Sequence, residues 1–123
     1  MEFEFSNAGS IEERRINVIS EGTVLQGTIN FEEIVRVHGK LEGKVHAKPG
    51  STLILAESST TQGTVEADTL IIDGFVEGEI HATTKVIVSG TGRVIGNIYT
   101  PSLLLEFGAY FEGKCSMDIK SST

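Results

Sequence analysis

Apolar and polar residues alternate with period two through short stretches of this chain. Leu41, Gly43, Val45 and Ala47 fall on one side and Lys40, Glu42, Lys44 and His46 on the other; Val76, Gly78, Ile80 and Ala82 stand against Phe75, Glu77, Glu79 and His81 in the same way. Strict alternation predicts half-buried strands. The stretches also recur. The pattern G-x-[I/V]-x-[A/T] is clear at Gly43–Ala47, Gly63–Ala67, Gly78–Ala82 and Gly96–Thr100, and looser at Gly27–Phe31 and Gly113–Met117, with successive glycines 16, 20, 15, 18 and 17 residues apart. A second marker keeps the same beat: Val35/Val37, Leu53/Leu55, Leu70/Ile72, Val86/Val88 and Leu103/Leu105. Two markers in phase identify a repeat of six short units.

A unit of about 17 residues is too short for a strand, a crossover helix and a second strand, which need roughly 30. It has one apolar row and no means of burying it alone. Stacking unit on unit closes a continuous interior and pairs every backbone edge except at the two ends. An all-β parallel β-helix of about six coils, roughly triangular in section, meets these conditions; with strands about 4.8 Å apart it would be a rod about 25–30 Å long. An antiparallel sandwich could alternate too, but nothing in it would hold the same residue types in register from unit to unit. The expected interior contains Val35, Val37, Val45, Leu55, Val65, Ile72, Ile80, Val88, Ile98 and Leu105. Gly39, Gly74, Gly90 and Gly108 are expected at corners. The long interval between Gly43 and Gly63 holds two enlarged bends, Lys48–Ser51 and Glu57–Thr61. Residues 1–15 are expected to form a flexible tail or a cap, 16–119 the β-helix, and 120–123 a short tail.

Composition narrows the function. A formal charge of −7, with no basic run longer than Arg14-Arg15, argues against nucleic acid as a partner. No apolar run is long enough to cross a bilayer, and Met1-Glu2-Phe3-Glu4-Phe5 does not read as a signal peptide, so a cytoplasmic location is expected. His46, Glu66 and His81 occupy equivalent outward positions and would form one column, yet no third ligand or dry pocket completes a metal site. His38 has no comparable partner. Cys115 takes the inward position of Val45, Val65, Ile80 and Ile98 and reads as a small buried hydrophobe. Glu42, Glu77 and Glu112 share a column interrupted by Gln62 and Ile95, and short coils wall off no catalytic groove. No cofactor, metal or catalytic residue is expected; a β-helical polysaccharide-acting enzyme is the weaker alternative.

Two apolar surfaces remain. Ile54, Ile71, Ile87 and Leu104 alternate outwards and would align into a stripe, interrupted by Arg36 in the earlier coil, that suits lateral contact with a membrane, a second rod or another protein. The last coil stays apolar through Leu103, Leu105, Phe107, Tyr110, Phe111, Cys115 and Met117. A β-helix end is a row of unpaired backbone groups above a slice of core, and stacking like ends would bury it.

The segments Val35–Val45, Leu70–Ile80 and Val86–Gly90, together with the six-coil length, give residues 16–119 a resemblance to the bactofilins, a bacterial polymer-forming cytoskeletal family. The resemblance implies a right-handed triangular β-helix that polymerises end to end into nonpolar filaments without nucleotide. It also implies a scaffold for cell-shape and envelope proteins, including peptidoglycan enzymes. The family's aromatic end-contact residue falls on Phe107 or Phe111, and Leu105, Tyr110 and Met117 would join it. Many members have proline-rich flanks and a basic, apolar N-terminal membrane-targeting peptide. Here the flanks are short and the start is acidic, which should repel an anionic leaflet and sets direct attachment to the inner face of the cytoplasmic membrane in question. A non-polymerising adaptor for envelope-associated proteins is the alternative to a self-assembling filament.

Overall fold

A computed structural model of the chain describes residues 2–3 and 16–116. All regular elements among them are strands: β1 (Glu2–Phe3), β2 (Ile16–Ile19), β3 (Val24–Phe31), β4 (Ile34–Val37), β5 (Lys40–Ala47), β6 (Thr52–Leu55), β7 (Thr60–Ile72), β8 (Phe75–Val88), β9 (Arg93–Tyr99), β10 (Leu103–Leu105) and β11 (Tyr110–Ser116). All pairs are parallel. One series stacks β3, β5, the first part of β7, the first part of β8, β9 and β11. The other stacks β2, β4, β6, the second parts of β7 and β8, and β10. The chain is a parallel β-solenoid of about six turns, and no described strand pairs antiparallel with its neighbour.

Register follows the repeat. Gly27, Gly43, Gly63, Gly78, Gly96 and Gly113 stack on one another, as do Ile29, Val45, Val65, Ile80, Ile98 and Cys115. One expectation needs correction: Gly43 and its counterparts do not continue the inward row of Leu41 and Val45. They form a corner. Each has positive φ, from 101° at Gly27 to 147° at Gly113, a conformation open to glycine at little cost. The bend folds one long strand into two walls, so both residues flanking the glycine face outwards and burial resumes at Val45. A Cβ at Gly63 would also collide with the carbonyl oxygen of Gly43 in the coil beneath. Among the expected corner glycines, Gly108 has positive φ (99°) and Gly39, Gly74 and Gly90 lie at bends without it. Gly39 and Gly74 are needed instead for close approach to carbonyls of the coil below.

The other corners are turns with their own hydrogen bonds. Ser51 donates its amide to the Lys48 carbonyl at 3.0 Å, and Ser59 does the same to Ala56 at 2.8 Å, each hydroxyl reaching the same oxygen. The second bend is tighter than expected, because Thr60 and Thr61 already belong to β7 and Thr61 points into the core. The core itself runs the length of the rod. Val37, Val45, Leu55, Val65, Ile72, Ile80, Val88 and Ile98 are at 0% exposure and Val35 at 1%. Leu105 is the exception: it stacks inward on Val88 but is 44% exposed, since no described coil lies beyond it.

At the opposite end β1 lies parallel to β3, Glu2 beside Thr28 and Phe3 beside Ile29. The rest of the expected N-terminal tail or cap, residues 4–15, lies outside the described residues, as do Met117 and the tail 120–123.

Candidate functional site

The last coil carries the largest apolar exposure. β10 pairs only with β8 and β11 only with β9 among the described residues, which leaves one backbone edge of each unpaired. Above that edge stand Leu105, Tyr110 at 45% exposure and Phe107, whose side chain is fully exposed. The turn that lifts Phe107 is closed by the Ala109 amide donating to the Glu106 carbonyl at 2.9 Å. Phe111 is placed differently: it stacks on Val94 and packs against the core with Leu103, Ala109 and Cys115. The two candidate aromatics therefore divide the end between them, Phe111 as the floor of the exposed slice and Phe107 as a projection at its corner. The Tyr110 hydroxyl donates to Glu112 at 2.7 Å, and that bond, together with the nearby carboxylate charge, raises the phenol's pKa. Cys115 is only half-buried in this last coil, not sealed as expected, and its partial burial pushes the thiol pKa up.

The expected outward stripe is present as a column: Arg36, Ile54, Ile71, Ile87 and Leu104 stack in register, with Val18 below Arg36. The isoleucines are half-buried by their neighbours and Leu104 is 52% exposed. This wall differs from the other two, whose outward columns carry Lys40, Glu42, Lys44, Glu66, Glu77 and Glu79.

His46, Glu66, His81 and Tyr99 stack in one outward column. His46 Nδ1 lies 2.8 Å from Glu66 Oε1, whereas His81 turns away from Glu66, approaching Glu79 at 3.4 Å and stacking on Tyr99 with ring centroids 4.6 Å apart. Among the described residues no group of three or more His, Cys, Asp or Glu is placed to hold a metal. The groove between His46, Pro49, Asp68, His81 and Thr83 encloses about 200 Å³, below the roughly 300 Å³ at which small-molecule pockets begin. The His38 ring meets the Ser58 hydroxyl, 3.4 Å from its Nδ1, and that hydroxyl also donates to the His38 carbonyl oxygen at 3.1 Å. Glu42 accepts from Gln26 at 2.7 Å and pairs with Lys40 at 3.0 Å, and the Lys40 contact, with the Gln26 bond behind it, holds its carboxyl below the usual range.

Sequence reasoning missed two polar features. Asp68 accepts from the Thr83 hydroxyl one coil ahead and from the Gly50 amide one coil behind, and these bonds lower its pKa, the Thr83 bond contributing most. The offsets of 15 and 18 residues are coil lengths and were the available signal. Thr61 sits at 0% exposure with its hydroxyl unpartnered, in the column of Leu41 and Val76.

No described helix is long and apolar enough to cross a membrane. A family model described as "Bactofilin: Polymer-forming cytoskeletal" matches residues 17–116. Bactofilin BacO of Myxococcus xanthus (strain DK1622) is 33% identical over 103 residues, covering 84% of this chain and 80% of that protein. Bactofilin BacP of the same organism is 30% identical over 100 residues, covering 81% of this chain but only 41% of BacP. No solved structure gives a significant match.

Proposed function

The chain belongs to the bactofilin family of polymer-forming cytoskeletal proteins, and on that premise we propose that it assembles by stacking its C-terminal end on the same end of a second copy. The observation that carries this reading is the slice of core that no described residue covers, where Leu105 and Tyr110 are near half exposure and Phe107 is fully exposed. A like-to-like contact would bury these side chains and extend both strand ladders. Repeated at the opposite end it gives a nonpolar filament. Assembly of this kind needs no nucleotide or metal, because the free energy comes from apolar burial and backbone pairing. The product would be a structural scaffold, not an enzyme. It would be cytoplasmic, would reach the inner face of the membrane through partners, and would present its charged walls to envelope or peptidoglycan-associated proteins that act in cell shape.

One observation favours a shorter product. β1 already occupies part of the β3 edge at the N-terminal end, and a chain that stacked only through its C-terminal end would stop at pairs and serve as an adaptor. Sedimentation of chelator-treated protein separates the two: filaments give large species without nucleotide, whereas the adaptor stays at two copies until a partner is added. Phe107→Arg should reduce the filament to pairs joined at the opposite end, and the adaptor pair to single copies, while the β-sheet circular dichroism is retained. Full-size assemblies from folded Phe107→Arg would overturn the C-terminal contact.

A further inference from the structure

The wall formed by β2, β4, β6, the second parts of β7 and β8, and β10 is unlike the rest of the surface. In a chain with 22% charged residues, its centre presents Thr52, Ile54, Thr69, Ile71 and Ile87, with Leu104 beyond and Lys85 at the margin. Depletion of charge around an apolar column is what the core of a protein interface looks like. Its two charges nearest the ends are arranged by position: Arg36 lies one step in from Val18 at one end of the column, and Glu106, two residues beyond Leu104, lies at the other. Neither makes an ion pair among the described residues.

We infer that this wall packs face to face on the same wall of a second copy running in the opposite direction, about a two-fold axis at Ile71. In that arrangement Ile71 meets its counterpart, Ile54 meets Ile87, and Arg36 meets Leu104 with Glu106 within reach of its guanidinium. The symmetry repeats each contact. A parallel arrangement would set every residue of the column against itself, Arg36 against Arg36 included, and like-charge apposition is costly at an interface. Charge complementarity therefore selects a second copy, and selects its direction. Asp73 meets its own counterpart at the rim, where solvent and salt screen the repulsion.

Five strands about 4.8 Å apart and a width of four residues give roughly 300 Å² per partner, well under the roughly 800 Å² per side of a stable pair. A single such contact is weak. Along a filament it is repeated, and the repeats act together, so the wall would bundle filaments and hold isolated copies only briefly. The contact itself does not depend on the end-to-end reading, because no stacking of ends brings Ile71 to Ile71.

Single cysteines in a Cys115→Ser background test it by mild oxidation of concentrated protein. Ile71→Cys should form disulfide-linked pairs several-fold above a Lys44→Cys control on another wall. Ile54→Cys and Ile87→Cys should couple to each other when mixed and not to themselves. Arg36→Glu or Glu106→Arg added to Ile71→Cys should each lower the yield several-fold. Mixing the two charge variants should restore it, since both contacts between position 36 of one copy and position 106 of the other would again join opposite charges. An Ile71→Cys yield no higher than the control, self-coupling of Ile54→Cys, or a yield indifferent to both charge reversals would overturn the proposal.

Discussion

Val88 and Leu105 occupy the same inward position one coil apart, as do Val94 and Phe111. Val88 and Val94 are fully sealed, while Leu105 is 44% exposed and Phe111 only partly covered. Neither the residue type nor the strand geometry explains the contrast. What differs, among the described residues, is the presence of a coil above. In a solenoid an inward side chain is roofed by the next repeat, so a terminal coil is built like a middle one and lacks only its last layer. The same apolar residue thus stabilises the fold at one position and supplies an exposed surface at another.

The sharpest way to break this contrast is to place the same charge in both regions. Ile80→Asp leaves a carboxylate in a sealed core and should cost several kcal/mol, whereas Leu105→Asp retains access to water and should cost about 1 kcal/mol or less. Thermal denaturation that shows equal losses would mean that the last coil is as closed as the middle ones. The two end aromatics make a finer version of the comparison. Phe111→Ala removes packing from the core floor and should cost about 1–2 kcal/mol, while Phe107→Ala should stay within about 0.5 kcal/mol, both read as denaturant midpoints at a concentration where the protein is unassembled.

The middle region is not optimal everywhere. Thr61→Val removes an unpartnered hydroxyl from a fully buried site while preserving shape, and should raise stability by about 1 kcal/mol. The smallest expected effect concerns Asp68, which ties three successive coils in the middle of the rod and has no counterpart in the last coil among the described residues. Hydrogen bonds from Thr83 and Gly50 depress its folded-state pKa. Its contribution is therefore present above the ordinary aspartate range and lost as pH falls through the depressed value. Asp68→Asn should be slightly less stable than wild type at neutral pH, and the two stability curves should converge in acid; parallel curves would show that the bonds do not favour the ionised form.

Much of the architecture was legible because stacking repeats every error and every success. Once Val45, Val65, Ile80 and Ile98 are seen in phase, their shared column follows, and so does the outward column of Ile54, Ile71 and Ile87. The glycine corner was not legible from alternation. Gly43 falls on the inward side of a period-two pattern, and only its positive φ, invisible in the residue sequence, shows that the strand turns there. Leu105 holds its expected inward position but is not sealed, because its pattern is that of a core residue and pattern carries no information about whether another layer follows. Thr61 reads as a bend residue beside Ser58 and Ser59, yet its column mates Leu41 and Val76 show where it belongs. Phe107 and Phe111 could not be separated by spacing, since their difference lies in one turn of backbone.

The glycine column has a further consequence for how such a rod changes length. Successive intervals range from 15 to 20 residues, yet the glycines stay in register, so the variation is absorbed at the other corners while the glycine acts as a fixed splice point. Excising residues 63–77 would join Gln62 to Gly78, lay Gly78 on Gly43, and seat Val86 to Val88 on the β6 strand without shifting any later residue. Whole coils can be lost or duplicated between glycines with both ends of the molecule preserved. Rod length is then free to evolve in unit steps, independently of the surfaces through which the rod meets its neighbours.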